Sequence, residues 1–206
     1  MKPILASVLL AVVVAIFATA IFAVPPKGTQ VTVAVQGFHC QPCPDSLVTA
    51  LAKLPGVTEV TGTLKPARVT ARLDEAKMTV SQFVAAINAQ PTAMDPKKTY
   101  TARLTVFVDS AATAGEERMC PSCAKEISKA LLAIKGINGV KSDDTGKVVT
   151  IGFTSTAKVT TAAIAKALAS TKSKFTTAFT DPNAGKEEAA AGDHCSGGAC
   201  PMMGGR

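Results

Sequence analysis

The chain repeats itself. Shifting its sequence by 80 residues lays Cys40 and Cys43 on Cys120 and Cys123, Leu47, Leu51 and Leu54 on Ile127, Leu131 and Ile134, and Gly56 on Gly136. Val60 then falls on Val140, and Val69, Ala71 and Leu73 fall on Val149, Ile151 and Phe153. One further residue of shift brings Phe83 and Ile87 onto Ile164 and Leu168. Chance does not align two cysteine pairs and this many apolar positions, so the chain reads as two related units. That constrains the fold more than any other feature, because the pattern of one unit has to serve for both.

Each unit reads in the same order. An alternating, Val-rich run comes first, "QVTVAV" at 30–35 and "ARLTVFV" at 102–108, and predicts a half-buried strand. The cysteine loop follows. Apolar residues at spacings of four and three (Leu47, Leu51, Leu54) then predict an amphipathic helix. "PGV" or "KGI" places a glycine where that helix should stop. Two strands are expected at 57–64 and 67–73, and again at 137–142 and 147–153, with "DDTG" at 143–146 as the second turn. Second helices are expected at 79–89 and 159–170, with Thr79 and Thr160 near their caps. A last strand, "KFTTAFT" at 174–180, closes the second unit. The first unit lacks so clear a partner. "PTAMDPKKTYT" at 91–101 is poor strand sequence, and the reading favours a short edge strand near 98–101 over one long strand at 99–108 serving both units.

The order β-α-β-β-α-β is the split βαβ pattern, which builds a four-stranded antiparallel sheet with both helices on one face. The expected fold class is α+β, two tandem ferredoxin-like domains at 27–98 and 99–180. Residues 1–26 precede them as a signal peptide or membrane anchor. Residues 4–24, "ILASVLLAVVVAIFATAIFAV", carry no charge, Lys2 stands before them and Pro25-Pro26 closes them. The run is long enough to span a bilayer if it is not cleaved, so the protein is expected to be exported, periplasmic or extracytoplasmic, with or without an N-terminal tether. Residues 181–206 form a Gly- and Ala-rich tail expected to be flexible. The net charge of +7 comes from scattered lysines, with one Tyr and no Trp, so nucleic acid is not an expected partner.

Six cysteines fall in three close pairs: Cys40/Cys43, Cys120/Cys123 and Cys195/Cys200. In an exported chain an even count points to disulfides, but CxxC at a helix start also suits a redox dithiol or a metal site. A disulfide closing so short a loop stabilises little, which makes three of them a poor structural framework. Two thiolates three residues apart meet one ion without backbone strain, and soft sulfur selects soft metals. A helix N-terminus stabilises the thiolate. In the tail, "HCSGGACPMM" sets His194, Cys195, Cys200, Met202 and Met203 within ten residues, a set suited to Cu(I) capture or to a terminal disulfide. With two histidines in all and no Ser/His/Asp set, acid–base or nucleophilic catalysis has little to work with.

Strand, Gly-x-x-Cys-x-x-Cys, amphipathic helix, "GV" and strand together resemble the heavy-metal-associated domain. That family includes small copper chaperones, the metal-binding domains of copper-pumping ATPases and the periplasmic mercury-binding protein. The resemblance covers about 31–89 and 102–180. It implies a ferredoxin-like fold, no enzymatic activity, and metal ligands at Cys40 and Cys43 and at Cys120 and Cys123. Cu(I) is the expected ion, with Hg(II) or Zn(II) as alternatives. A metal-transporting membrane protein or another CxxC protein is the implied partner. A thiol–disulfide oxidoreductase is the alternative of a different class. Two departures stand out. The methionine usual two residues before the first cysteine is Phe38 or Arg118 here, with Met119 one residue late. The second cysteine loop, "DSAATAGEERMCPSC", is longer by seven residues than "QGFHCQPC". Lys172 and Lys174 stand in the loop that neighbours the metal site in this family.

Overall fold

A computed structural model describes residues 28–110 and 116–182. The apolar segment 4–24 lies outside them, and among the described residues no helix is long and apolar enough to cross a membrane. The described chain runs β1 Thr29–Gln36, α1 Pro42–Leu51, β2 Val57–Thr63, β3 Arg68–Leu73, α2 Val80–Asn88, β4 Thr101–Asp109, α3 Pro121–Leu132, β5 Ile137–Ser142, β6 Val148–Phe153, α4 Thr161–Ala169 and β7 Thr176–Ala178.

Local chemistry places these elements. Alternation buries Val31, Val33 and Val35 on β1, and the helical spacing buries Leu47 and Leu51 on α1 and Ile127 and Leu131 on α3. Thr79 accepts the Gln82 N–H while Gln82 accepts the Thr79 N–H, a complete capping box for α2. Thr160 caps α4 through the Ala163 N–H. The stop glycines, Gly56 and Gly136, sit at φ +81° and +104°, a backbone region that glycine enters without the Cβ penalty.

The strands form one antiparallel sheet in the order β2-β3-β1-β4-β6-β5, with β7 also paired to β4. The short edge strand favoured near 98–101 is not what forms. Pro91 and Thr99 make only an isolated bridge, and β4 serves both halves. Its Thr101–Thr105 pairs with β1, its Leu104–Phe107 with β6 and its Phe107–Asp109 with β7. The reason is the sequence of β4 itself. "TARLTVFVD" is the one well-patterned strand in the region, and the edge it presents is long enough for two partners placed end to end. The same arrangement shortens the last strand, expected at 174–180, to 176–178. Beyond Ala178 the edge of β4 is already occupied by β1, so the chain turns away. The Phe179 carbonyl accepts the Thr32 N–H (2.7 Å), and Asp181 pairs with Arg68 (3.0 Å). The boundary expected at 98/99 therefore falls directly before a strand that is hydrogen-bonded into both halves.

Packing follows the sheet. Val69, Val33, Leu104 and Ile151 are register neighbours across four strands and lie in one core cluster with the buried residues of all four helices. Each such aliphatic side chain contributes about 1.5–3 kcal/mol on burial. Polar contacts cross between the halves as well. Ser81 on α2 is buried; its hydroxyl donates to the Ala157 carbonyl (2.9 Å) and accepts the Val159 N–H (2.8 Å). Glu75 accepts the Thr161 N–H (2.7 Å) and hydroxyl (2.9 Å), placing a carboxylate at the α4 N-terminus.

Candidate metal centre

Cys40 and Cys43 bracket the entry to α1. Gln41 stands at the cap without a side-chain bond, and Pro42 takes the first helical position, where its missing N–H costs nothing. Cys43 follows inside the first turn, and its N–H donates to the Cys40 carbonyl (3.0 Å). Cys43 is fully buried and Cys40 half-buried; both are free thiols, their sulfurs hydrogen-bonded at 2.9 Å. That bond sets the protonation of the pair. It holds Cys43 below the ordinary thiol value, helped by the His39 backbone, and pushes Cys40 above it. Cys43 therefore gives up its proton before Cys40.

The residues present fit a soft ion. With metal–sulfur bonds of about 2.3 Å, the two sulfurs must open from 2.9 Å toward about 4.6 Å for linear coordination. Half-exposed Cys40 is the one with room to swing. Among the described residues no group of three or more Cys, His, Asp and Glu side chains is gathered to hold a metal ion, so these two sulfurs stand without a third ligand of those types. His39 is exposed.

The loop is braced by residues that periodicity alone does not reveal. Tyr100, the chain's only tyrosine, is buried at the entry to β4, and its ring meets Phe38 edge-on at 5.5 Å. Gly37, at φ +109°, lets the loop pass over that ring; a Cβ there would lie 3.1 Å from Tyr100 Cδ1. Burial raises the Tyr100 pKa, and the thiolate charges of Cys43 and Cys40 push it the same way. The isolated tyrosine beside a poor strand sequence was the available signal.

The second pair differs. Cys120 is itself the cap of α3, its sulfur accepting the Cys123 N–H (3.1 Å), and it is disulfide-bonded to Cys123. Met119 is buried against Gly146, with its N–H on the Thr145 carbonyl (2.7 Å), and Arg118 is exposed. The Lys172 backbone and the Ser173 hydroxyl both bond Glu126 of α3, and this holds the Glu126 carboxyl below its usual range. The Lys172 and Lys174 side chains are exposed. Residues 111–115 of this cysteine loop, and the tail candidates His194, Cys195, Cys200, Met202 and Met203, lie outside the described residues.

Because β1 and β4 are antiparallel, the two pairs lie at opposite ends of the sheet. Gln36, just before the Cys40 loop, is opposite Thr101, whereas the Cys120 loop leaves the other end of β4 after Asp109.

Two solved structures are similar to the chain. One is the water-soluble region of the P-type ATPase CopA from Bacillus subtilis: 17% identity, TM-score 0.34, covering 83% of this chain and 97% of that one. The other is the N-terminal soluble domains of Bacillus subtilis CopA: 16% identity, TM-score 0.35, covering 73% and 92%. No curated protein matches the chain. Residues 32–90, which run from β1 through both cysteines to the end of α2, match the family model of the heavy-metal-associated domain.

Proposed function

We propose that this protein binds a soft metal ion, Cu(I) first, between Cys40 and Cys43, and stores it or hands it on without catalysing a reaction. The observation that carries the reading is a free dithiol at a helix start within a heavy-metal-associated domain. Cu(I) accepts two sulfur ligands, whereas zinc takes four, and the described residues gather no third Cys, His, Asp or Glu there. Hg(II) suits the same pair. A half-exposed sulfur lets an incoming thiolate bond before an old one leaves, which suits transfer to a metal-transporting membrane protein or another CxxC protein.

The finer parts of the proposal follow. The second half is a related unit fused to the first through β4, with Cys120 and Cys123 as its ligands once reduced. The tail adds Cys195 and Cys200, with His194, Met202 and Met203. Residues 4–24 carry the protein out of the cytoplasm, as leader or tether.

An anaerobic Cu(I) titration of the reduced protein against a competing chelator tests this. It is run beside Cys40→Ser/Cys43→Ser, Cys120→Ser/Cys123→Ser and a truncation after residue 182. Loss of one tight equivalent with the first double variant is the expected result, and the other two report the second pair and the tail. A second reading has one observation in its favour, the Cys120–Cys123 disulfide: a thiol–disulfide oxidoreductase. Absence of tight copper binding, with reduction of a disulfide-bonded substrate, would put that reading first.

A further inference from the structure

We propose that Met94 supplies a third, thioether ligand to the ion held by Cys40 and Cys43. The proposal rests on the metal-binding reading of that pair and adds a residue to it.

The loop 91–99 looks featureless in sequence but is tightly built. Pro91 bridges Thr99, and the Thr92 N–H donates to the Lys98 carbonyl (2.8 Å). The Thr92 hydroxyl donates to the Asp95 carbonyl (2.8 Å) and accepts the Asp95 N–H (3.2 Å). Met94 lies inside that turn. The turn is docked on the cysteine loop. The Thr92 methyl lies 3.5 Å from where a Cβ on Gly37 would stand, three residues before Cys40. The Ala93 N–H, immediately before Met94, donates to the Tyr100 hydroxyl (3.3 Å), and the Tyr100 ring packs on Phe38, two residues before Cys40.

Met94 is thus carried by backbone fixed to the wall of the cysteine loop, while its own side chain is 67% exposed and left out of the core. An unbranched side chain with three rotatable bonds can turn to an ion without moving that backbone. A thioether is soft, which favours Cu(I) and is of little use to zinc. Two thiolates plus one thioether would make a three-coordinate Cu(I) site, with Met94 as the ligand that swings away on transfer.

The test uses the full chain carrying Cys120→Ser, Cys123→Ser, Cys195→Ser, Cys200→Ser, Met202→Leu and Met203→Leu, so that Cys40 and Cys43 are the only thiols. Met94→Leu is made in this background; at an exposed position it should leave the fold intact, which circular dichroism checks. Chelator competition should show Cu(I) affinity falling about 10- to 100-fold, the range seen when a metal's immediate surroundings are disturbed. Copper-edge X-ray absorption should count three sulfurs in the parent and two in the variant. If the parent binds copper tightly and Met94→Leu changes neither affinity nor sulfur count, the Met94 proposal is wrong and the dithiol reading stands. If the parent binds no copper tightly, both fall.

Discussion

Ser81→Ala tests whether the two halves fold as one unit. Ser81 is 1% exposed, and its hydroxyl serves the Ala157 carbonyl and the Val159 N–H, both from the other half of the chain. Alanine fits the space but leaves both groups buried without that partner. An orphaned buried N–H costs about 1–3 kcal/mol, and the carbonyl adds less because it loses one of two acceptor positions, so about 2–3 kcal/mol is expected. For a protein of this size each kcal/mol moves Tm by about 2–4 °C, which gives a drop of about 4–12 °C. Differential scanning calorimetry of the metal-free protein should show a single transition that shifts as a whole, because the shared β4 and continuous core couple the halves. Two separate transitions, with neither moved by the substitution, would refute the fused-sheet reasoning. Cu(I) affinity at Cys40 and Cys43 should be unchanged, since Ser81 touches neither.

Two further outcomes follow from the cysteine loop. With Cys43 held below the ordinary thiol value and Cys40 above it, the protons released on Cu(I) binding should fall in two steps as pH rises, Cys43 losing its share at lower pH than Cys40, and affinity should fall as pH drops through the lowered Cys43 value. Calorimetry in buffers of different ionisation enthalpy reads the count at each pH, and two thiols that lose their protons over the same pH range would show that the sulfur–sulfur hydrogen bond does not set the protonation. Gly37→Ala forces a side chain into φ +109° and toward Tyr100, at a cost of about 1–3 kcal/mol. Tm and Cu(I) affinity should both fall, and an unchanged affinity would mean that Tyr100 does not brace the loop.

Much of this was legible in the sequence because the signals are local. The cysteine pairs, the buried helix stripes, the caps at Thr79 and Thr160 and the stop glycines all depend on neighbours within a turn or two. What was not legible depends on competition between distant segments. The sequence 99–108 reads as a strand for either half, and only assembly decides that β4 takes β1 and β7 on one edge and β6 on the other. β7 is cut short for the same reason, by a strand about 140 residues earlier in the chain. The loop 91–99 escaped notice because its order comes from Thr92 and Asp95 bonding the backbone, which leaves no periodic trace. The two CxxC motifs look equivalent as text. They diverge in position, since Cys120 is a helix cap whereas Cys40 lies one residue outside its helix cap.

The shared strand also limits how the two pairs can cooperate. Eight residue steps along β4, at about 3.4 Å each, set the ends of the sheet about 27 Å apart, and the cysteine loops leave from those opposite ends. Metal–sulfur bonds are about 2.3 Å long, so no ion can be bound by both pairs at once or step directly from one to the other. Any exchange between them within one molecule needs a carrier. Asp181 pairs with Arg68, the register partner of Ala34 on β1, while Pro182 lines a cavity with Asp109 and Thr176 at the other end of β4. Cys195 follows Pro182 by 13 residues, which is up to about 45 Å of chain if extended. That length is enough to reach either pair. Under the proposed function, the two pairs are separate sites at opposite ends of the sheet, and the tail is the segment of this chain with the length to serve as carrier between them.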